Sequence, residues 1–269
     1  MKKSLLIGLS VIGITAISCS NLNSSSQAKT EVSQPQSTEV AVNQPFEYKD
    51  YADVLSQYVD DNGLVNYAEL QKNRAQLDRF NESLGAVNRP TFDSWGESEQ
   101  IAFLSNAYNS FTLQSIIDQQ PLEESIRDIS GVWNKNKFTL IGEEKTLDNI
   151  EHDILRKDYN EPRIHVALVC AAISCPILRN EPYTAESLDA QLDDQTVKFA
   201  SSPHGLEIDQ EDKKVYLSSI FKWYGKDFIK TYGNDDEFSG NEQQRAVIKY
   251  FSSKLSPKDL QFILSLIHI

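Results

Sequence analysis

The chain has 269 residues, with 39 acidic against 26 basic side chains, a formal net charge of −13 and a sequence pI of about 4.8. That balance argues against binding along a phosphate backbone, which needs a basic face, and against adhesion to anionic lipid headgroups. Nucleic acid is therefore not an expected partner, and the 40% hydrophobic content suffices for a packed core.

The N-terminus opens Met1-Lys2-Lys3 and continues with an almost wholly apolar run from Leu5 to Ile17. A basic start before a short apolar run is the pattern of an export signal; a membrane-crossing helix needs about 20 apolar residues. The run ends Ala16-Ile17-Ser18-Cys19, a small residue before a lone cysteine. This predicts a lipoprotein signal peptide over residues 1–18 and a lipid on Cys19. The expected address is the bacterial cell envelope, periplasmic or surface-facing, with the membrane as partner through that lipid. Residues 19–45 hold Ser, Gln, Thr, Asn, Val and Pro and no aromatic side chain. Such a segment buries too little to offset its ordering entropy, so it reads as a flexible tether of roughly 30 Å. A globular domain is expected over residues 46–263, within the usual size of one domain. The last six residues, Leu264 to Ile269, can be written CTG TCT CTT ATA CAC ATC, the transposon end used as a sequencing adapter. Residues 264–269 are therefore expected to be read-through, and His268 is assigned no role.

Within the domain, Tyr48 to Tyr58 reads as a short amphipathic helix and Asp60-Asp61-Asn62-Gly63 as a turn. Tyr67 to Leu84 reads as a second helix, broken at Asn88-Arg89-Pro90. Ser94, with Glu97 three residues later, predicts a capping box opening a longer helix to Asp118, with Leu104, Tyr108 and Phe111 as its apolar stripe. Gln120-Pro121 ends it. Phe138 to Thr146 is expected to be a hairpin around Gly142, followed by a helix from Leu147 to Arg156. Arg163 to Cys170 is apolar almost throughout and is expected to be a strand covered on both faces. Helices are expected at Thr184–Ala200, Ser219–Phe228 and Asn241–Leu255, with a hairpin at Leu206–Leu217. The fold class is α+β: one mainly helical domain with a small β-sheet and hairpins.

Three groups of residues can carry chemistry. Asn106 and Asn109 lie three apart on one helix, so their side chains are neighbours. They either orient a ligand or a catalytic histidine, or bond a neighbouring loop. Glu151 falls at four-residue spacing between Leu147 and Leu155 and so points inward, where a carboxylate must be paired, hydrogen-bonded or protonated. With His152 beside it, Glu151 forms either an acid/base pair or a structural buried acid held by an arginine such as Arg163 or Arg127. Third, Cys170 and Cys175 remain once Cys19 takes lipid. In an oxidising compartment they are expected to form a disulfide; a reactive Cys170 thiolate and a buried or metal-binding pair are the other readings. A zinc site lacks a second cysteine pair, so no metal is expected, and no cofactor. On an extended strand His165 stands about 17 Å from Cys170 at roughly 3.3 Å per residue, which makes His152 the better base for that thiol. His204 is expected to be a solvated loop residue. Arg163, His165 and Tyr183 complete the candidate binding residues.

These motifs, in order, resemble the domain-of-unknown-function 547 family. The resemblance runs from about Trp95 to Phe228. It rests on Asn106-Ala107-Tyr108-Asn109, Ser125-Ile126-Arg127-Asp128-Ile129, Leu147-Asp148 with Ile150-Glu151-His152, Arg163-Ile164-His165, Ala167-Leu168 with Cys170, and Ser174-Cys175-Pro176. Leu188 with Gln191-Leu192, and Phe221-Lys222-Trp223-Tyr224 with Asp227-Phe228, extend it. The resemblance implies an Asp-Trp close that this chain lacks, and it brings no reaction. It carries over Asn106, Asn109, Glu151, His152, His165 and Cys170 as candidate site residues. Two functions follow. One is an envelope module binding a small molecule, peptide or glycan. The other is a hydrolase or transferase using Cys170 or Glu151 with His152. A redox role for the two cysteines ranks below both, because their spacing is not Cys-x-x-Cys.

Overall fold

In the computed structural model, which describes residues 45–233 and 237–266, helices dominate and the strands form two separate hairpins. The expected class, a mainly helical α+β single domain, is the observed one. The described residues all fall within one unit, Asn43–Ile269. Residues 1–44, which hold the expected signal segment, Cys19 and all but the last residue of the tether, lie outside the described residues, as do residues 267–269.

Helix α1 (Lys49–Tyr58) buries Tyr51, Val54, Leu55 and Tyr58, the one-sided spacing of a surface helix. The following turn is closed by the Asp60 carboxylate, which accepts from the Asn62 and Leu64 amides, both at 2.9 Å. Gly63 has φ +75°, and a Cβ there would sit 2.6 Å from Ile177 Cβ, so only glycine fits. The single helix expected over Tyr67–Leu84 is two, α2 (Tyr67–Lys72) and α3 (Ala75–Ala86). Asn73 closes the first by donating to Glu69 O, and Arg74, at the head of the second, binds Asp78 in that helix and Asp118 at the end of the 97–117 helix.

The expected capping box is also corrected. Ser94 ends a separate short helix, α4 (Arg89–Ser94), and donates to Thr91 O; α5 (Glu97–Ile117) starts after Gly96. Nor does α5 carry a single apolar stripe, because from Ile101 to Ile117 nearly every residue is buried, which is the state of a central core helix. Its hydroxyls turn back on the helix: Ser110, Thr112 and Ser115 donate to the carbonyls of Ala107, Tyr108 and Phe111.

Strands β1 (Phe138–Leu140) and β2 (Glu143–Lys145) pair antiparallel through the two-residue loop Ile141-Gly142, with φ +53° and +72°. Asn149–Leu155 winds as a π-helix and runs into α6 (Arg156–Asp158). The strand expected over Arg163–Cys170 is absent. Ile164–Ala167 form one helical turn, α7, and the chain becomes extended only from Leu168. An uninterrupted apolar run has no period, so burial was legible there and conformation was not. Next come α8 (Leu188–Ala200), then β3 (Leu206–Asp209) and β4 (Lys214–Leu217) as the second hairpin. The helix expected over Ser219–Phe228 divides at Gly225 into α9 (Ser219–Tyr224) and α10 (Lys226–Tyr232). Helix α11 (Glu242–Ser252) opens with a capping box between Asn241 and Gln244. Leu264 and Ser265 continue α12 (Pro257–Ser265).

The main core surrounds α5, and a second cluster joins Val166, Phe199, Phe221, Phe228, Tyr250 and Phe251. Val166 belongs to the same short turn as His165. The segment that holds the candidate site is therefore anchored on both cores.

Candidate functional site

Glu151, His152, His165, Cys170 and Cys175 group around one cleft of about 730 Å³, walled by the π-helix, α7, the Cys170–Pro176 loop and α9. Its lining includes Tyr108, Arg127, Asp148, Glu151, His152, His165, Cys170, Cys175, His204, Trp223 and Tyr224.

Glu151 is 8% exposed, and so inward-facing. Among the described residues, no arginine forms an ion pair with it. Instead the phenols of Tyr108 and Tyr224 stand near enough to its carboxylate to feel its charge. Burial first, and the negative charge of Glu151 second, push the Tyr224 hydroxyl up to about 12 and the Tyr108 hydroxyl well above its usual value. Both phenols therefore stay protonated as donors at neutral pH. A π-helix carries an extra residue per turn, which lets Glu151 face the core while the adjacent His152 opens to the cleft.

His152 Nδ1 lies 3.7 Å from a Glu151 oxygen, and His152 Nε2 lies 3.9 Å from Asp148, so neither carboxylate hydrogen-bonds it. Its partner is Arg156, whose Nη1 is 3.1 Å from Nδ1. A guanidinium can only donate, so Nδ1 of His152 is an acceptor. Arg156 also binds Asp227 with two nitrogens, at 2.7 and 3.1 Å.

His165 is 4% exposed, and its Nε2 is 2.8 Å from Asp227 Oδ2. Its ring stacks on Tyr224 at 4.4 Å with planes 7° apart, while the Arg156 guanidinium lies 4.8 Å from the same tyrosine ring centre. Burial opposes ionisation of Asp227, but the bonds from His165 and Arg156 outweigh it and hold this carboxyl well below the usual carboxylate range. Asp227 therefore stays anionic and orients the imidazole. His165 also borders a second cavity of about 480 Å³, lined by Arg156, Lys226, Asp227 and Lys230.

The sulfurs of Cys170 and Cys175 stand at disulfide distance, with Cα atoms 6.2 Å apart. Ala171 between them takes a left-handed φ of +52°, which turns the chain back. Because α7 is a helical turn, the extended-strand separation of His165 from Cys170 does not apply: the two line the same cleft.

The other candidates are spent elsewhere. Asn109 donates to Ala167 O at 3.0 Å and accepts from the Val169 amide at 2.9 Å, clamping the segment between His165 and Cys170. Asn106 makes the same pair of bonds to the backbone of Tyr183. Tyr183 is a buried core residue. Arg163 binds Glu161, Asp189 and Asp193, away from the cleft. His204 is exposed and borders the cleft.

Sequence reasoning missed Tyr108, Arg156, Tyr224 and Asp227 as members of the site. Tyr108 was read only as an apolar helix position. Tyr224 and Asp227 stand in the Phe221–Phe228 motif, which hinted at a role without saying what they meet. Among the described residues, no group of three or more His, Cys, Asp or Glu side chains is placed to hold a metal ion. Likewise, no described helix is long and apolar enough to cross a membrane.

Residues 92–200 match the model of a family described as "Protein of unknown function, DUF547". The match supports that family and covers α5, the π-helix, α7 and both cysteines, while Trp223, Tyr224 and Asp227 lie beyond it. No curated protein and no solved structure matches the chain.

Proposed function

We propose that the chain is a lipid-anchored envelope protein whose domain binds a small molecule, a glycan segment or a short peptide in this cleft. The observation that carries the binding reading is one cavity whose wall joins a buried carboxylate to an exposed aromatic side chain. Glu151 is buried there beside Tyr108 and Tyr224, and Trp223 is 63% exposed. A cleft of several hundred Å³ with a few convergent polar groups is the ordinary form of a small-ligand site. A flat apolar face on the ligand suits the indole, and hydroxyl or amide groups suit Glu151, His152 and Arg127.

The test is a titration of tryptophan emission with a panel of short N-acetylated oligosaccharides and short peptides. Saturable change is expected for at least one probe, weakened about tenfold in Trp223→Ala, as for an aromatic anchor worth roughly 1.4 kcal/mol. A flat response of the folded protein to the whole panel overturns the binding reading.

The anchoring reading rests on Lys2-Lys3, the Leu5–Ile17 run and Cys19. In a bacterium expressing the full chain, labelled palmitate is expected in the wild type and absent from Cys19→Ala, which should leave the membrane fraction. Equal labelling of both proteins rules the anchor out.

A further inference from the structure

The cleft contains a set of groups that simple binding does not need. An imidazole is backed by a carboxylate, and a cysteine pair stands in the same wall. His165 Nε2 faces the Asp227 carboxylate at 2.8 Å and so carries a proton, and in the neutral imidazole the lone pair is then on Nδ1. Asp227 is held on its other side by Arg156, so the imidazole is positioned before any ligand arrives. Cys170 follows His165 by five residues, and the intervening backbone is fixed by both ends of the Asn109 amide. His152 is the less firmly oriented of the two, since among the described residues no carboxylate lies within hydrogen-bond distance of it.

We infer that this protein is a latent thiol-dependent acyl-transfer enzyme, with Cys170 as nucleophile, His165 as its base, and the Cys170–Cys175 disulfide as the lock. The inference rests on the reading of the cleft as a ligand site and gives its occupant a class: an acyl compound, an ester or amide, bound with its carbonyl at Cys170. Unlocking takes a dithiol reductant, which gives two electrons and two protons to the disulfide and leaves as its own disulfide, freeing both thiols. His165 Nδ1 then takes the Cys170 proton while the sulfur attacks the acyl carbon and an S–C bond forms. The alkoxide or amine leaves with the proton returned from His165. Water next attacks the thioester, giving its proton to Nδ1, and Cys170 departs as the thiol. Cys170 and His165 are the catalytic residues; Asp227 and Asn109 are positioning residues.

The experiment uses the full-length protein in detergent, as wild type reduced with dithiothreitol and as Cys175→Ser. Iodoacetamide alkylation of Cys170 is followed by peptide mass spectrometry across pH. The expected midpoint lies at least one unit below the free-thiol value of about 8.5. In His165→Gln it returns to that value, with the rate at pH 6.5 down about tenfold, and Asp227→Asn shifts it in the same direction. p-Nitrophenyl acetate should leave an acetyl group on Cys170 in Cys175→Ser and none in the oxidised wild type. Circular dichroism checks that each variant is folded. Where one is not, Cys170 and Cys175 are compared within the reduced wild type, and a lower midpoint is expected for Cys170. An ordinary midpoint for Cys170, or one indifferent to His165→Gln in folded protein, overturns the inference. The ligand titration is run on the oxidised protein, so its outcome does not depend on this one.

Discussion

Asn109→Ala is expected to lose about 3 kcal/mol of stability, because it strands two buried backbone groups at once. The Asn109 amide donates to the Ala167 carbonyl and accepts from the Val169 amide, and all three residues are buried. Each unpaired buried group costs roughly 1–3 kcal/mol, and a small cavity in the wall of the central helix adds to this. For a domain of this size the thermal midpoint should fall by about 6–12 °C. The loss should also be local. Amide exchange should accelerate over residues 165–175, the stretch that carries His165 and both cysteines. Asn106→Ala is the control. It breaks the matching pair of bonds to Tyr183, so its faster exchange should appear around residue 183 instead. Unchanged exchange at Val169 in Asn109→Ala would mean that the clamp does not hold the cleft wall.

This clamp also marks where the sequence is readable and where it is not. Helical spacing places Asn106 and Asn109 side by side, and the cost of burying an amide says that each needs partners. The partners lie 58 to 77 residues away, and no local pattern names them. Glu151 is a similar case. Its inward direction follows from Leu147 and Leu155, but the phenols beside it come from α5 and α9. Turn chemistry was local and therefore legible: the hairpin at Ile141-Gly142 and the Asp60–Gly63 turn both stand where the residues indicate. The Ile164–Cys170 segment was not, because α7 is only one turn long and its apolar residues serve two cores. That single conformational difference decides whether His165 and Cys170 can share a cleft.

Asp227→Asn is the second large effect, about 1–3 kcal/mol at pH 7. The substitution keeps the shape and removes the charge that Arg156 grips with two nitrogens and His165 with one. The carboxylate side chain is 24% exposed, so the loss is smaller than for a fully buried pair. Its pH dependence has a definite sign. In the folded protein this carboxyl is held well below the usual carboxylate range. A depressed folded value means that the contribution is complete above the unfolded value, near 3.9, and is lost as pH falls through the folded one. The contribution of the carboxylate's own ionisation to the difference between wild type and Asp227→Asn should therefore be complete above about pH 5 and shrink below about pH 4. Denaturant unfolding at several pH values measures it. No difference at pH 7, or one that grows on acidification, would show that the Asp227 network does not stabilise the fold. Asp227 lies on α10, while Arg156 and His165 lie on the segments that border the cleft. One carboxylate thus ties a C-terminal helix to the site, and its loss should loosen the stacked His165–Tyr224 pair. Ligand affinity should then fall together with stability, even though Asp227 does not itself line the 730 Å³ cleft.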